Sequence, residues 1–410
     1  MKRFLYLTDY YYPSPTSIGV CDDAVINELI SDGNQVDVVC FGARTCKTPI
    51  EIATGLRVFH VKDRMWEILQ KKNQKAFKRI GGVLCRMNQL SMMHFFPMSS
   101  ITVPLRYFIL CDYLYKNYEY DELVSTYAPF EACWAAYKLC KKNEKIGWSL
   151  YILDTFTNRG ASKFFSEEWN DKHGWRWEKI FFSKASKIIN LRCHEKHHQQ
   201  ERYDIFRNKM YFTDIPLFNP HKFDNIDAIN HDEELCFVYT GRIDSHWYSP
   251  VKLCELFSYI SKGKDWRLHF FGNPSDCEKY LDEMYDRTNG KIVKEGFVSR
   301  ETVIREMKSA DVLVSFGHMD SDMVQSKIFD YMSTGAKILH LTNFSFRDSA
   351  REYYKKYENA FVLDEKNISD KETMKNLVFF LENGQKLSTE KLTSLFVENR
   401  PETTVKILEY

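Results

Sequence analysis

Asp-Met-Val-Gln-Ser-Lys-Ile-Phe-Asp-Tyr-Met-Ser-Thr-Gly, residues 322–335, says more about fold and function than any other stretch of this 410-residue chain. The apolar run 311–316 ahead of it has the length of a short buried strand. Behind the loop, Ile328, Tyr331 and Met332 recur at helical spacing, Gly335 stops the helix, and residues 337–341 form a second apolar run. The pattern predicts a strand, loop, helix, strand unit. Ser326 and Lys327 then fall near the first turn of the helix, where unpaired backbone N–H groups and the helix dipole favour an anion and a lysine adds a full positive charge. A phosphate suits that position. Asp322 in the loop and Asp330 in the helix, eight residues apart, become acceptors beside it, suited to the hydroxyls of a sugar and a ribose.

This constellation resembles the donor site of the family 4 glycosyltransferases, which have the GT-B fold, α/β with two Rossmann-like doubly wound domains facing a cleft. Their signature is Glu-x7-Glu running into a helix that ends Glu-Ala-Met-Ala-Ala-Gly. Here the frame is kept as Asp322-x7-Asp330, ending Asp330-Tyr331-Met332-Ser333-Thr334-Gly335. Many bacterial members carry Pro-Ser-Lys before Phe-Glu-Tyr-Met, and this chain has Gln325-Ser326-Lys327 and then Phe329-Asp330-Tyr331-Met332. Both acids are one methylene shorter than the usual glutamates, which keeps the charge and shortens the reach. The resemblance implies a nucleotide diphosphate sugar as donor, transfer with retention to a growing surface glycan such as capsule or O-antigen, Asp322 orienting the sugar and Asp330 the ribose.

Composition narrows the alternatives. With 57 basic and 56 acidic residues and a net charge of +1, the chain gives no global electrostatic reason to bind nucleic acid. Its eleven cysteines are odd in number, irregularly spaced and free of any Cys-x-x-Cys pair, a usage that suits reduced thiols in a cytosolic protein. The basic start Met1-Lys2-Arg3 is followed by Asp9 and a run of tyrosines before a long apolar core can form, so it reads as a first strand, not a signal peptide. The apolar window 92–111 contains His94, Pro97, Pro104 and Arg106, and no transmembrane segment is expected.

Strand and helix patterns alternate from the start. Strands are expected at 4–8, 36–40, 56–61, 122–125, 149–153 and 187–191, with helices at 20–30 and 130–140, as in a parallel sheet with crossover helices. Residues 1–217 form an acceptor-side Rossmann-like domain. The polar segment 218–234 reads as a linker, and residues 235–390 as the donor-binding domain, with strands at 235–240, 267–271 and 291–294 and helices near 251–260, 276–288 and 300–308. The helical stretch 391–410 is expected to pack back on the first domain, as the C-terminal helix does in the resembling family.

Further residues are candidates for chemistry. Gly241 and Arg242 end a strand, where a glycine lets backbone approach a ligand and an arginine can fork onto phosphate oxygens. The family's lysine about five residues on is missing, Trp247 standing near its place, so Lys327 is expected to supply the second charge on the pyrophosphate. By resemblance, Gly19 answers the glycine pair of the family's first loop, although an ordinary turn explains it equally, and Val298 in Gly296-Phe297-Val298 marks backbone contacts to the nucleobase. Where many members place a histidine toward the transferred sugar, this chain has Thr126-Tyr127-Ala128-Pro129. Tyr127 can donate a hydrogen bond but, with an ordinary pKa of about 10, accepts protons poorly. Asp154 at a strand end is either the acceptor-activating base or a helix N-cap. In a retaining front-face transfer, the leaving phosphate itself can take the proton.

His194-Glu195-Lys196-His197-His198 matches the His-Glu-x-x-His zinc pattern, but its continuation, Gln199-Gln200-Glu201-Arg202, is a charged surface pattern and not a helix buried under a catalytic cleft, and no metal or other cofactor is expected. Residues 64–86 carry Lys71, Lys72, Lys75, Lys78 and Arg79 around Trp66, Ile68, Leu69, Phe77 and Ile80. This suits either an interfacial helix on an anionic membrane or a plain solvated helix. The leading expectation is a cytosolic, membrane-peripheral glycosyltransferase with a glycan or lipid-linked glycan acceptor. Its rivals are a GT-B nucleotide-sugar epimerase and a non-catalytic nucleotide-binding subunit.

Overall fold

A computed structural model describes residues 1–72, 74–98, 100–157, 166–229, 231, 234–246, 249–317, 324–345 and 348–410. The side chains of Met65, Trp66 and His94 lie outside that description, as do Asp322 and Trp247. The chain divides into two compact units, Met1–Pro216 with Glu398–Tyr410, and Leu217–Val397. Residues 218–234 fall in the second unit.

The first unit is built on an eight-stranded sheet: β1 (Arg3–Leu7), β2 (Gln35–Gly42), β3 (Ile50–Ala53), β4 (Leu56–Lys62), β5 (Glu122–Tyr127), β6 (Gly147–Ile152), β7 (Lys187–Leu191) and β8 (Met210–Thr213). Its order is β3-β4-β2-β1-β5-β6-β7-β8, and β3 alone runs antiparallel to its neighbour. Phe4, Leu5, Tyr6 and Leu7 are all fully buried, which is why β1 reads as an unbroken apolar run: a parallel strand covered by helices on both faces has no solvent side. Strand order reverses at β1, which has β2 on one side and β5 on the other. Helix Ser17–Ser31 follows β1, with Thr16 capping its N-terminus by accepting from the Gly19 amide.

The second unit is simpler. Its six strands, β9 (Leu235–Thr240), β10 (Trp266–Phe271), β11 (Ile292–Gly296), β12 (Val312–Phe316), β13 (Lys337–Thr342) and β14 (Ala360–Asp364), are all parallel in the order β11-β10-β9-β12-β13-β14. That is the doubly wound Rossmann order, and its switch point lies between β9 and β12. These two strands pair only at Phe237↔Val312 and Val238↔Leu313, so their carboxyl ends run on unpaired at the position where open α/β sheets bind ligands.

Most expected elements form near their expected bounds. Strands β3, β8 and β14 were not legible, being short, at sheet edges or partly exposed. The apolar window 92–111 leads into helix Thr102–Asn117, which buries Val103, Tyr107, Leu110, Cys111 and Leu114 against the first sheet. Among the described residues no helix is long and apolar enough to cross a membrane. The stretch 391–410 is not one helix: it breaks into Thr389–Ser394 and Pro401–Glu409, with Pro401 at the first helical position, where its missing N–H costs nothing. This last helix lies on the first unit, where the Asn34 amide donates to Glu409 at 2.7 Å and Lys187 to the Leu408 carbonyl at 3.0 Å.

Candidate active site

Helix Lys327–Ser333 rises from the loop after β12 and brings Lys327 to the switch point. The Lys327 ammonium donates to the Thr240 carbonyl at the end of β9, at 3.1 Å, and lies 3.9 Å from the centre of the Tyr239 ring. Tyr331, one turn further along the helix, holds the same strand end, its hydroxyl 2.9 Å from the Thr240 amide and 3.0 Å from the Thr240 hydroxyl. Burial pushes the Lys327 pKa down to about 7, because a cation taken from water loses hydration that the carbonyl and ring only partly replace. The chain turns away immediately after Thr240. Gly241 has φ of 124°, a conformation that favours glycine, and a Cβ there would come within 3.5 Å of the Lys327 ammonium. Arg242 is exposed and pairs with buried Asp244 at 3.0 Å. The structure thus brings Gly241, Arg242 and Lys327 to one strand end.

Asp330 lies in the same helix and is salt-bridged to Lys222, which falls in the polar segment 218–234 expected as a linker. The segment around Lys222 is fixed to the helix a second time, by the Asn219 amide on the Ser333 hydroxyl at 3.1 Å. No local signal could have found Lys222, since 108 residues separate it from Asp330. Ser326 precedes the helix and makes no side-chain cap. Val298 follows β11 beside Phe297, and both are exposed at the carboxyl edge of the sheet. The Asp322 assignment lies outside the described residues. In the same unit, Ser315, His340 and Asp348 form a chain of contacts, 3.1 and 2.8 Å, that resembles a nucleophilic triad. All three are buried, and the cluster ties β12 to β13.

The carboxyl edge of the first sheet is acidic. Asp9, just after β1, accepts from the Thr16 hydroxyl at 3.0 Å, and burial raises its pKa to about 6. Asp63, after β4, is raised to about 6 for the same reason. Arg64 pairs with Glu131 at 3.4 Å and Glu67 at 3.3 Å, and Lys71 covers the Tyr10 ring. Behind Asp9 lies Asp22, fully buried and pushed up to about 7 by desolvation, which accepts from Tyr6 and Thr126, each at 2.8 Å, and from Thr8. Asp9 was not singled out from sequence. A carboxylate immediately after the first strand was visible there, but its burial was not.

Three first-unit expectations change. The Tyr127 side chain is fully buried and stacked on Phe156, with ring centres 3.5 Å apart, so it is a core residue and offers no hydroxyl to a substrate. Gly19 is not in the loop but in the first turn of helix Ser17–Ser31, buried. A Cβ there would meet the Tyr10 carbonyl at 2.2 Å, so the glycine is required by close packing of loop on helix. Asp154 is half-buried after β6, its amide 3.3 Å from the Tyr127 carbonyl, and no helix begins at 155–157 for it to cap.

Residues 194–198 do not lie wholly at the surface. His194 ends a 3-10 turn, Arg192–His194, and approaches the Leu153 carbonyl at 3.3 Å, Glu195–His198 forms one helical turn, and His198 is buried. Residues 64–86, in contrast, form two helices, Met65–Lys71 and Lys75–Ser91. Ile80, Val83, Met87 and Leu90 share one face of the second and are 50 to 63% exposed, flanked on one side by Lys75, Arg79 and Arg86. No acidic residue occurs between Glu67 and Asp112.

No family model and no curated protein matches the sequence. Solved structures match along the whole chain. A glycosyltransferase from Rickettsia africae is 14% identical with a TM-score of 0.62, covering 99% of this chain and 98% of that one. The lipopolysaccharide outer core galactosyltransferase WaaB is 12% identical with a TM-score of 0.55, again over 99% and 98%. A UDP-GlcNAc 2-epimerase from Methanocaldococcus jannaschii is 13% identical with a TM-score of 0.56, over 100% and 99%. At such identities the likeness is one of fold, and with both sheets it makes this chain a two-domain α/β protein of the GT-B fold, Rossmann-like in each half.

Proposed function

We propose that the protein is a glycosyltransferase that takes a sugar from a nucleotide diphosphate sugar held at the carboxyl ends of β9 and β12. The observation that carries this reading is the Lys327 ammonium at the switch point, bonded to the Thr240 carbonyl beside Gly241 and Arg242. Cleaving the donor's glycosidic bond leaves charge on the diphosphate, and stabilising that charge is the main demand of the step. Lys327 meets it in place. Arg242 reaches it by exchanging Asp244 for phosphate. Asp330 takes the ribose hydroxyls once Lys222 yields one carboxylate oxygen, and Asp322 orients the sugar. The resemblance to family 4 supports retention, with the leaving phosphate as proton acceptor. Where a protein carboxylate takes that proton in place of the phosphate, Asp9, just after β1 and with a pKa of about 6, is the first-unit candidate.

The acceptor is a growing surface glycan on a lipid carrier. Its support is the exposed apolar stripe of helix Lys75–Ser91 with flanking cations, which suits a cytoplasmic, peripheral position on an anionic membrane. The same surface favours transfer over epimerisation, which needs no second substrate. Two protein cations serve the diphosphate, so no metal is required at the donor site.

Calorimetric titration with nucleoside diphosphates, followed by turnover assays on a panel of nucleotide sugars with and without acceptor, tests the reading. A matching donor at a hundred times its Kd stabilises the protein by about 2.7 kcal/mol in a thermal-shift screen. Binding with an isomerised sugar and no transfer would establish an epimerase, and binding without turnover a non-catalytic subunit.

A further inference from the structure

Glu178, His197 and His198 converge inside the first unit, away from the acids that follow β1 and β4. Helix Glu167–Lys184 carries the glutamate, and the helical turn Glu195–His198 after β7 carries both histidines. One carboxylate oxygen and two imidazole nitrogens lie within 4.8 Å of one another. Glu178 and His198 are 0% exposed. Their facing atoms, Oε1 and Nε2, stand 3.6 Å apart, too far for a hydrogen bond, and neither has a hydrogen-bond partner among the described residues.

The rest of each group is anchored. His198 Nδ1 lies 3.1 Å from the His194 carbonyl, to which it can only donate. With Nδ1 donating to that carbonyl, His198 Nε2 is left facing a carboxylate oxygen, and a cation between the two atoms would satisfy both. Glu178 Oε2 accepts from Tyr203 at 2.8 Å and from Thr157 at 3.2 Å. A backbone carbonyl behind the histidine and a hydroxyl behind the carboxylate are the kind of outer contacts that orient metal ligands.

We propose that Glu178, His197 and His198 hold one zinc-class divalent cation, with the Tyr203 hydroxyl or a water as fourth ligand. Metal bonds of about 2.0–2.2 Å at tetrahedral angles put ligand atoms about 3.3–3.5 Å apart, close to the Glu178–His198 separation. His197 Nε2, now 2.7 Å from the Thr157 hydroxyl and 2.8 Å from that of Tyr203, turns from them to the ion. Two imidazoles and a carboxylate without thiolate select zinc, cobalt or nickel over magnesium or calcium. The ion ties helix Glu167–Lys184 to the segment after β7, a structural role. His194 is not a ligand, so the pair is not the His194/His198 pair of the zinc-protease pattern.

Tag-free, metal-free full-length protein titrated with Co²⁺ should bind one equivalent with the visible absorption of a four-coordinate site, released by Zn²⁺. Glu178→Gln and His198→Gln should each lower Zn²⁺ affinity at least tenfold, and His194→Gln should leave it unchanged. Absence of uptake by the wild type would make the pair an imidazolium–carboxylate contact and overturn the proposal, as would a loss in His194→Gln equal to that in His198→Gln. If the variants do not fold, anomalous diffraction at the zinc edge from wild-type crystals decides: a peak among the three residues supports the site, and a peak elsewhere or none overturns it. Metal uptake is read without glycosyl transfer and so stands apart from the proposed activity. Activity lost to chelator and restored by magnesium or manganese would count against the metal-free donor site instead.

Discussion

At the carboxyl end of β9, the central strand of the second unit, the chain runs Thr240, Gly241, Arg242, with the Lys327 ammonium on the strand's last carbonyl. At the matching end of β1 in the first unit it runs Thr8, Asp9, with Asp22 buried behind, Asp63 after β4 and Glu131 in the first turn of the helix after β5. The two places are the same in topology, each a point where strand order reverses, and opposite in charge. Burial acts on both by one rule, penalising whichever form is charged. It lowers Lys327 to about 7 and raises Asp9 to about 6, so a basic and an acidic group are both brought near neutral pH. A cationic switch point suits a diphosphate. An acidic one, half desolvated, suits the taking of a proton.

The comparison breaks most decisively at Asp9. If Asp9 and not the leaving phosphate takes the acceptor's proton, Asp9→Asn should lower turnover by about 10²–10⁴-fold while leaving nucleoside diphosphate affinity unchanged. In the wild type, kcat/KM should rise with pH through about 6, since the active form is the carboxylate. An active Asp9→Asn enzyme that yields a retained anomer would leave the leaving phosphate as the base.

Next in size is the outer surface of the first unit. Replacing Lys72, Lys75, Lys78 and Arg79 with glutamine should weaken binding to anionic vesicles by about 1 kcal/mol per cation and spare donor binding. Lys71 is left in place because it covers the Tyr10 ring near Asp9. Cosedimentation at low and high salt measures this, and equal binding by wild type and variant would make the helix an ordinary surface element.

At the second switch point, Lys327→Ala and Arg242→Ala should each weaken nucleoside diphosphate binding by about 1.5–3 kcal/mol, the worth of a charge-assisted contact. Lys327→Ala should be the larger loss, because Arg242 must first leave Asp244. Calorimetry that finds both variants unchanged would remove the donor site.

The finest distinction is in pH. With the empty-site pKa of Lys327 lowered to about 7, the ammonium is lost as pH rises through that value, whereas a bound diphosphate favours the protonated form. Affinity should therefore fall above pH 7, by up to about tenfold per unit, with proton uptake on binding. Lys327→Arg, always charged, should flatten the profile.

Much of this was legible beforehand because it is written locally. The expected strands 187–191 and 235–240 and helix 251–260 coincide with the observed ones, since each is an apolar run or a helical period bounded by turn residues. Gly241, Arg242 and Lys327 were read from a strand end and a helix start. Tyr127 was misread because an aromatic at a strand end looks the same whether it points to solvent or stacks on Phe156. Gly19 was misread because the carbonyl that demands it belongs to Tyr10, folded back onto the helix.

The sequence by itself determined that two doubly wound α/β halves would form and that cations would gather after β9 and in the helix after β12. Periodicity and strand ends are properties of a few consecutive residues, and they survive without knowledge of the rest. Only the tertiary structure decided which charges are desolvated and what each one meets: Lys222 on Asp330 across 108 residues, Asp9 closed in beside Thr16, His198 facing Glu178. Those outcomes depend on segments distant in the chain packing against one another. Local pattern cannot carry them, because the electrostatic cost of a buried group is set by all of its neighbours together.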